Sequence, residues 1–203
     1  MNPSDQFNPV VLVHGLTDTN VIFKPMTAYL QKHGWAVHSV NLLPSNGDCE
    51  LDRLAKQLDT FIKSALPNQQ QPFDLIGFSM GGIVSRYYVQ RLGGLDRVQR
   101  FITIASPHNG TLTAHLSQRP GCVQMRPNSP FLNDLNRDVP MLDQLDFTSI
   151  WTPMDLMIVP ATSSQLQVGR NIQVNVPLHS WMVQDVRGLQ AVANALREPV
   201  HKR

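Results

Sequence analysis

An apolar run, Phe73 to Ile76, ends in Gly77-Phe78-Ser79-Met80-Gly81-Gly82 and passes at once into a helical run from Ile83 to Leu92. A strand that turns this sharply into a helix needs small residues around the turn. Glycines at 77 and 81 let neighbouring backbone approach without a Cβ clash. The serine between them is pressed into strained backbone that lifts its hydroxyl above the sheet edge. The helix start beneath it offers free N–H groups and the positive end of a dipole. A Walker lysine is missing and G-x-G-x-x-G does not fit, which argues against a phosphate-binding turn. The plain alternative is a tight turn with an ordinary serine; the context favours a candidate nucleophile, Ser79.

The rest of the chain alternates in the same way. Val10 to Val13 is a short β-branched run bounded by Pro9 and Gly15, the pattern of a strand buried on both faces. A helix is expected from Ile22 to His33, stopped by Gly34, then a strand over Trp35 to Val40. From Glu50 to Leu66, Leu51, Leu54, Leu58, Phe61, Ile62 and Ala65 recur every three or four residues, as on an amphipathic helix. Further strands are expected over Phe101 to Ile104, Phe147 to Trp151 and Asn171 to Val176, and a last helix over roughly Trp181 to Leu196. Strands alternating with helices predict an α/β fold: a mostly parallel six-stranded sheet with helices on both faces. At 203 residues and 42% hydrophobic residues the chain is expected to be a single domain over 1–203. Residues 107–146 carry no strong period and are expected to form a small irregular cap or lid.

Chemistry in such sheets sits in the turns that follow strands. A serine needs a base to become a nucleophile, and the base needs an orienting carboxylate; in this arrangement they follow in the order serine, acid, histidine. His14, His33 and His38 precede Ser79. His108 and His115 precede the fifth strand, and His201 lies at the chain end. His179, directly after the sixth strand, remains as the base. The turn after the fifth strand holds one carboxylate, Asp155, whereas Asp143 and Asp146 come before that strand, at its wrong end. Stabilising a tetrahedral oxyanion takes two N–H groups. One is expected from Met80, which follows the nucleophile, and one from Leu16 in the loop Val13-His14-Gly15-Leu16-Thr17. His14 is expected to brace that loop by hydrogen bonds. Phe78, Leu178, Trp181 and Ile22 are apolar and close in sequence to these groups, so they are candidate acyl-binding residues, though each could equally pack the core.

Seventeen Lys and Arg against fifteen Asp and Glu leave a formal charge of +2, too balanced for an electrostatic nucleic-acid binder. The basic cluster His201-Lys202-Arg203 reads as a solvated end. No apolar run approaches the roughly 20 residues of a membrane helix, and Met1 to Gln6 lacks the start of a signal peptide, so a cytoplasmic location is expected. Cys49 and Cys122 are in no metal-ligand spacing and are expected to be unpaired thiols. Neither metal nor cofactor is called for.

Residues 9–105 and 147–196 resemble the α/β-hydrolase superfamily, and within it the compact bacterial triacylglycerol lipases and their cyanobacterial relatives. The resemblance rests on Asn8 to Gly15, Gly77 to Gly82, Thr148-Ser149-Ile150 with Asp155 to Val159, and Asn171 to Val174 leading to His179. It implies the same assignment: Ser79 as nucleophile, Asp155 as acid, His179 as base, Leu16 and Met80 as oxyanion donors. It implies hydrolysis of carboxylic esters, acylglycerols or other lipid esters first among them, with possible transient contact at a lipid surface. A short-chain carboxylesterase or thioesterase is the nearest alternative, and a non-catalytic binding protein on the same fold is the alternative of another class. Two departures stand out. The stretch 107–146 is longer than in the smallest lipases of this type, and the two antiparallel strands that usually start the fold are missing.

Overall fold

The computed structural model describes residues 7–200; Met1 to Gln6 and His201-Lys202-Arg203, read above as a non-signal start and a solvated end, lie outside the described residues. Six strands are present: β1 Val10–Val13, β2 Val37–Val40, β3 Phe73–Phe78, β4 Val98–Ile104, β5 Asp146–Trp151 and β6 Arg170–Gln173. The sheet order is β2-β1-β3-β4-β5-β6, and every neighbouring pair is parallel. The chain moves outward from β1 to β2, then returns to place β3 on the other side of β1. That reversal makes the gap beyond the carboxyl ends of β1 and β3 a topological switch point, where an α/β sheet opens a crevice. Val13 stands opposite Gly77 in register, so the loops that leave these two strands start side by side.

Strand residues alternate between two cores. Val11, Val13, Phe73, Leu75, Phe101 and Phe147 pack with α2 (Leu51–Ala65) and α3 (Met80–Arg91). Val10, Leu12, Ile76, Phe78, Ile102, Ile104 and Ile150 pack on the other face with α1 (Lys24–Lys32) and the C-terminal helix Val186–Arg197. Both faces of the central strands are thus dry, which is why they read as continuous apolar runs.

Residues 107–146 contain two short helices, α4 Pro120–Gln124 and α5 Pro130–Arg137, with 3₁₀ turns on either side. Met125, Leu132, Leu135, Leu142 and Leu145 join the core on the α2–α3 face. Polar contacts fix the segment there. Arg91 on α3 reaches Asp138 at 2.6 Å and Asp134 at 2.9 Å. Arg86, fully buried, donates to Gln90 Oε1 at 2.8 Å and to the Leu135 carbonyl at 2.7 Å. Burial, with Arg91 nearby, brings the Arg86 guanidinium down to about 9. The C-terminal helix, α6, starts later than its apolar pattern suggests. His179–Val183 is a 3₁₀ turn, and the Asp185 side chain accepts from the Arg187 N–H and restarts the helix.

Candidate active site

Ser79 is the hinge between β3 and α3, with φ 53° and ψ −124°. An L-residue holds that conformation only where the surroundings impose it. Here the Ser79 N–H donates to the Ile104 carbonyl at 2.8 Å and its own carbonyl accepts from the Gly82 N–H at 3.0 Å. The glycines are steric requirements. A Cβ on Gly77 would fall 2.5 Å from the Gly82 Cα, and one on Gly81 would collide with the Val13 and His14 carbonyls. Gly77 thus lets α3 fold back closely on the end of β3, and Gly81 lets it approach the end of β1.

The loop after β1 lies against this elbow. His14 is completely buried: its Nε2 accepts from the Leu42 N–H at 2.9 Å, so the proton sits on Nδ1, which faces the Gly15 carbonyl at 3.0 Å. The ring ties the β1 loop to the end of β2, as the sequence suggests. Thr17 is held at φ 61° while its N–H donates to the Ser45 carbonyl at 2.8 Å. The Leu16 N–H has no hydrogen-bond acceptor among the described residues. The Met80 N–H opens α3 and is one of the donors that a helix start leaves without an intrahelical partner.

Asp155 and His179 are brought together from different loops. The Asp155 side chain is 2% exposed; its Oδ1 accepts from the N–H groups of Met157 and Ile158, both at 2.9 Å, and its Oδ2 accepts from His179 Nδ1 at 2.7 Å. The carboxylate therefore fixes the imidazole with its proton on Nδ1 and Nε2 free to accept. Thr152 Oγ1 donates to the Val176 carbonyl at 2.8 Å and pins the two loops to each other. The His179 ring rests on Phe78, the residue before Ser79, with centroids 4.9 Å apart. No hydrogen bond joins Ser79 Oγ to His179 Nε2, a contact that commonly tightens only when substrate arrives. Asp143 and Asp146 lie just before and at the start of β5, at the opposite end of the sheet.

The other residues singled out from sequence divide by exposure. Phe78 is buried beneath the imidazole; Ile22 is half-buried against the α1–α6 core; Leu178 and Trp181 are each 46% exposed on the rim. Cys49 and Cys122 are free thiols. No group of three or more His, Cys, Asp or Glu among the described residues is arranged to hold a metal ion. One polar residue at this rim was not picked out by sequence: Asp18. Its Oδ2 lies 3.1 Å from where a Cβ on Gly15 would stand, and the Ser79 Cβ lies 3.1 Å from that same point. A single aspartate in a loop carries no spacing signal, so only the fold reveals its place.

Two buried histidines make a testable electrostatic signature. Burial holds His14 below its ordinary value, and holds His108 well below it, with Arg86 adding to the second shift. Each ring binds its proton more weakly folded than unfolded, so between pH 6.5 and the folded value the unfolded chain takes up more protons. Stability must therefore fall on acidification from about pH 6.5, by up to about 1.4 kcal/mol per histidine per pH unit. Urea midpoints taken at pH 7.5 and 5.5 should show the loss; equal midpoints would mean that these rings are not held neutral.

Against known proteins, a family model described as palmitoyl protein thioesterase matches residues 9–135. The chain belongs to the palmitoyl protein thioesterase family. That match spans β1, the Ser79 elbow and most of the 107–146 segment, and ends before Asp155 and His179. Palmitoyl-protein thioesterase 3 of Dictyostelium discoideum is 29% identical over 106 residues, covering 50% of this chain and 36% of that protein. A triacylglycerol lipase of Pseudarthrobacter phenanthrenivorans is 34% identical over 117 residues, covering 54% and 36%. The chain thus spans about a third of the length of these curated relatives. Among solved structures, the mature form of Bacillus licheniformis lipase BlEst2 superposes with a TM-score of 0.81 at 16% identity, covering 96% of this chain and 94% of that one. Aspergillus fumigatus lipase B gives 0.82 at 16% identity, covering 98% and 55%. These likenesses establish the α/β-hydrolase fold for this thioesterase-family chain.

Proposed function

We propose that this chain hydrolyses fatty-acyl esters through an acyl-enzyme on Ser79, with His179 as base, Asp155 as orienting acid and the Leu16 and Met80 N–H groups as the oxyanion hole. His179 Nε2 takes the Ser79 proton as Oγ attacks the carbonyl carbon, and the oxyanion gathers at the two amides. The same imidazole returns the proton to the leaving alcohol. Water then repeats the sequence and releases the acid. The observation that carries the reading is the 2.7 Å contact between His179 and Asp155, set on the ring of Phe78 next to a serine held at φ 53°.

A lipid-like acyl group is supported by what surrounds the site. Val21, Leu112, Leu156, Met157, Leu178 and Trp181, each at least 46% exposed, all lie on connections that follow carboxyl ends of strands. Apolar surface gathered on one rim is what a soluble chain otherwise avoids. Transient contact with a lipid surface belongs to this proposal. A thioester is the second substrate class, favoured by the family match to residues 9–135.

Turnover of p-nitrophenyl esters from acetyl to palmitoyl, beside a palmitoyl thioester, tests the reading. Higher kcat/KM for medium and long chains is expected; activity confined to acetyl and butyryl esters would leave a short-chain carboxylesterase. A fluorophosphonate probe should label Ser79, and an unlabelled serine would leave a non-catalytic binding protein.

A further inference from the structure

The carboxyl of Asp18 has no hydrogen-bond donor among the described residues. No side chain or N–H among the described residues hydrogen-bonds either of its oxygens, whereas Asp155 on the same rim accepts three such bonds. Neither oxygen is among the buried polar atoms that lack a partner, so the half-buried side chain keeps its charged end open to the rim. Asp18 does not stray there by flexibility. Its backbone is fixed by the turn in which its N–H approaches the Gly15 carbonyl at 3.4 Å, and by Ser45 Oγ, which donates to its carbonyl at 2.8 Å. The carboxylate is thereby aimed back across Gly15 towards Ser79. Because Oδ2 and the Ser79 Cβ are each 3.1 Å from one point, at most twice that distance separates them. The neighbouring ionisable groups that act on it are His14 and His179. His14 is locked by Leu42 and Gly15, and His179 by Asp155, so neither turns a proton towards Asp18.

We propose that Asp18 is a specificity-determining residue whose free carboxylate receives a cationic group of the substrate, so that the site selects esters and thioesters bearing positive charge within a few bonds of the scissile carbonyl. The inference rests on the proposed hydrolysis at Ser79. A quaternary or protonated amine two carbons beyond the ester oxygen reaches the carboxylate from a carbonyl carbon placed over Ser79. An anionic leaving group of similar size, such as a phosphorylated thiol, meets the same charge with the opposite sign. Acylated basic peptides and choline-type esters are the chemical classes this favours.

The test uses a pair that differs in charge and little else: octanoylcholine and its uncharged isostere 3,3-dimethylbutyl octanoate, both below their aggregation concentrations. The wild-type chain should prefer the cation in kcat/KM by about fivefold to tenfold in low salt, as one charge pair a few ångströms apart in a largely aqueous cleft would give. The preference should shrink in 0.5 M NaCl, where the screening length is only about 4 Å. In Asp18→Asn, and in Asp18→Ala should the amide perturb the loop, the two esters should be hydrolysed with nearly equal kcat/KM. A wild-type ratio near one, or a ratio that survives both substitutions, overturns the role of Asp18 while leaving the hydrolase reading intact. Failure to hydrolyse either ester, together with no fluorophosphonate labelling, removes both.

Discussion

Replacing Ser79 with alanine is expected to lower kcat for ester hydrolysis by about 10⁴-fold or more, to the residual rate that an oxyanion hole and binding sustain without a nucleophile. The size of the effect follows from the division of labour in the site. Ser79 is the proposed nucleophile, and a water arriving in its place loses the advantage of being held there. The fold should not register the change. Alanine tolerates φ 53° no better and no worse than serine, and the hydroxyl makes no hydrogen bond among the described residues. The melting temperature should therefore stay within about 2 °C of the wild type. Loss of fluorophosphonate labelling with unchanged melting is the combined signature. Turnover within tenfold of the wild type would place the chemistry elsewhere.

Much of this candidate site could be read from residues because its logic is local. The elbow is written in five consecutive positions, and β1 follows from a β-branched run that ends at the glycine where the loop begins. The order of strands then isolates Asp155 and His179, since each sits in the first turn after its strand. Three features resisted. Helix α5 spans eight residues with only Leu132 and Leu135 buried, too few repeats for a period to emerge from a proline-rich stretch. The break before α6 depends on the Asp185 cap; apolar residues continue on both sides of it, so the pattern alone runs the two pieces together. Asp18 was hidden for another reason. Its significance lies in its distance from residues sixty positions away, set by the register of β1 against β3 and by the Cβ that Gly15 lacks. Turns that follow strands are legible in sequence; the approach of a lone loop carboxylate to the elbow is not.

Asp155→Asn should cost nearly as much as loss of the nucleophile, about 10⁴-fold in kcat, without disturbing the geometry. The reason is a conflict of donors. Asp155 Oδ1 accepts from the Met157 and Ile158 N–H groups, so an asparagine must keep its oxygen there and turn its NH₂ towards His179. Two donors cannot face each other across 2.7 Å. The imidazole relieves the clash by moving its proton to Nε2, and Nε2 then has no lone pair for the Ser79 hydroxyl. Fluorophosphonate labelling should slow in parallel, because it needs the same proton transfer, while the melting temperature falls only modestly. Near-normal turnover would not return the role to Asp143 or Asp146, which stand before and at the start of β5 at the far end of the sheet. It would pass to the other carboxylate whose charge acts on His179, Asp18. The double variant Asp18→Asn/Asp155→Asn separates the cases. If Asp155 orients the base, adding the change at 18 to Asp155→Asn alters only the preference for cationic esters; if Asp18 has taken over, the second substitution removes the remaining activity.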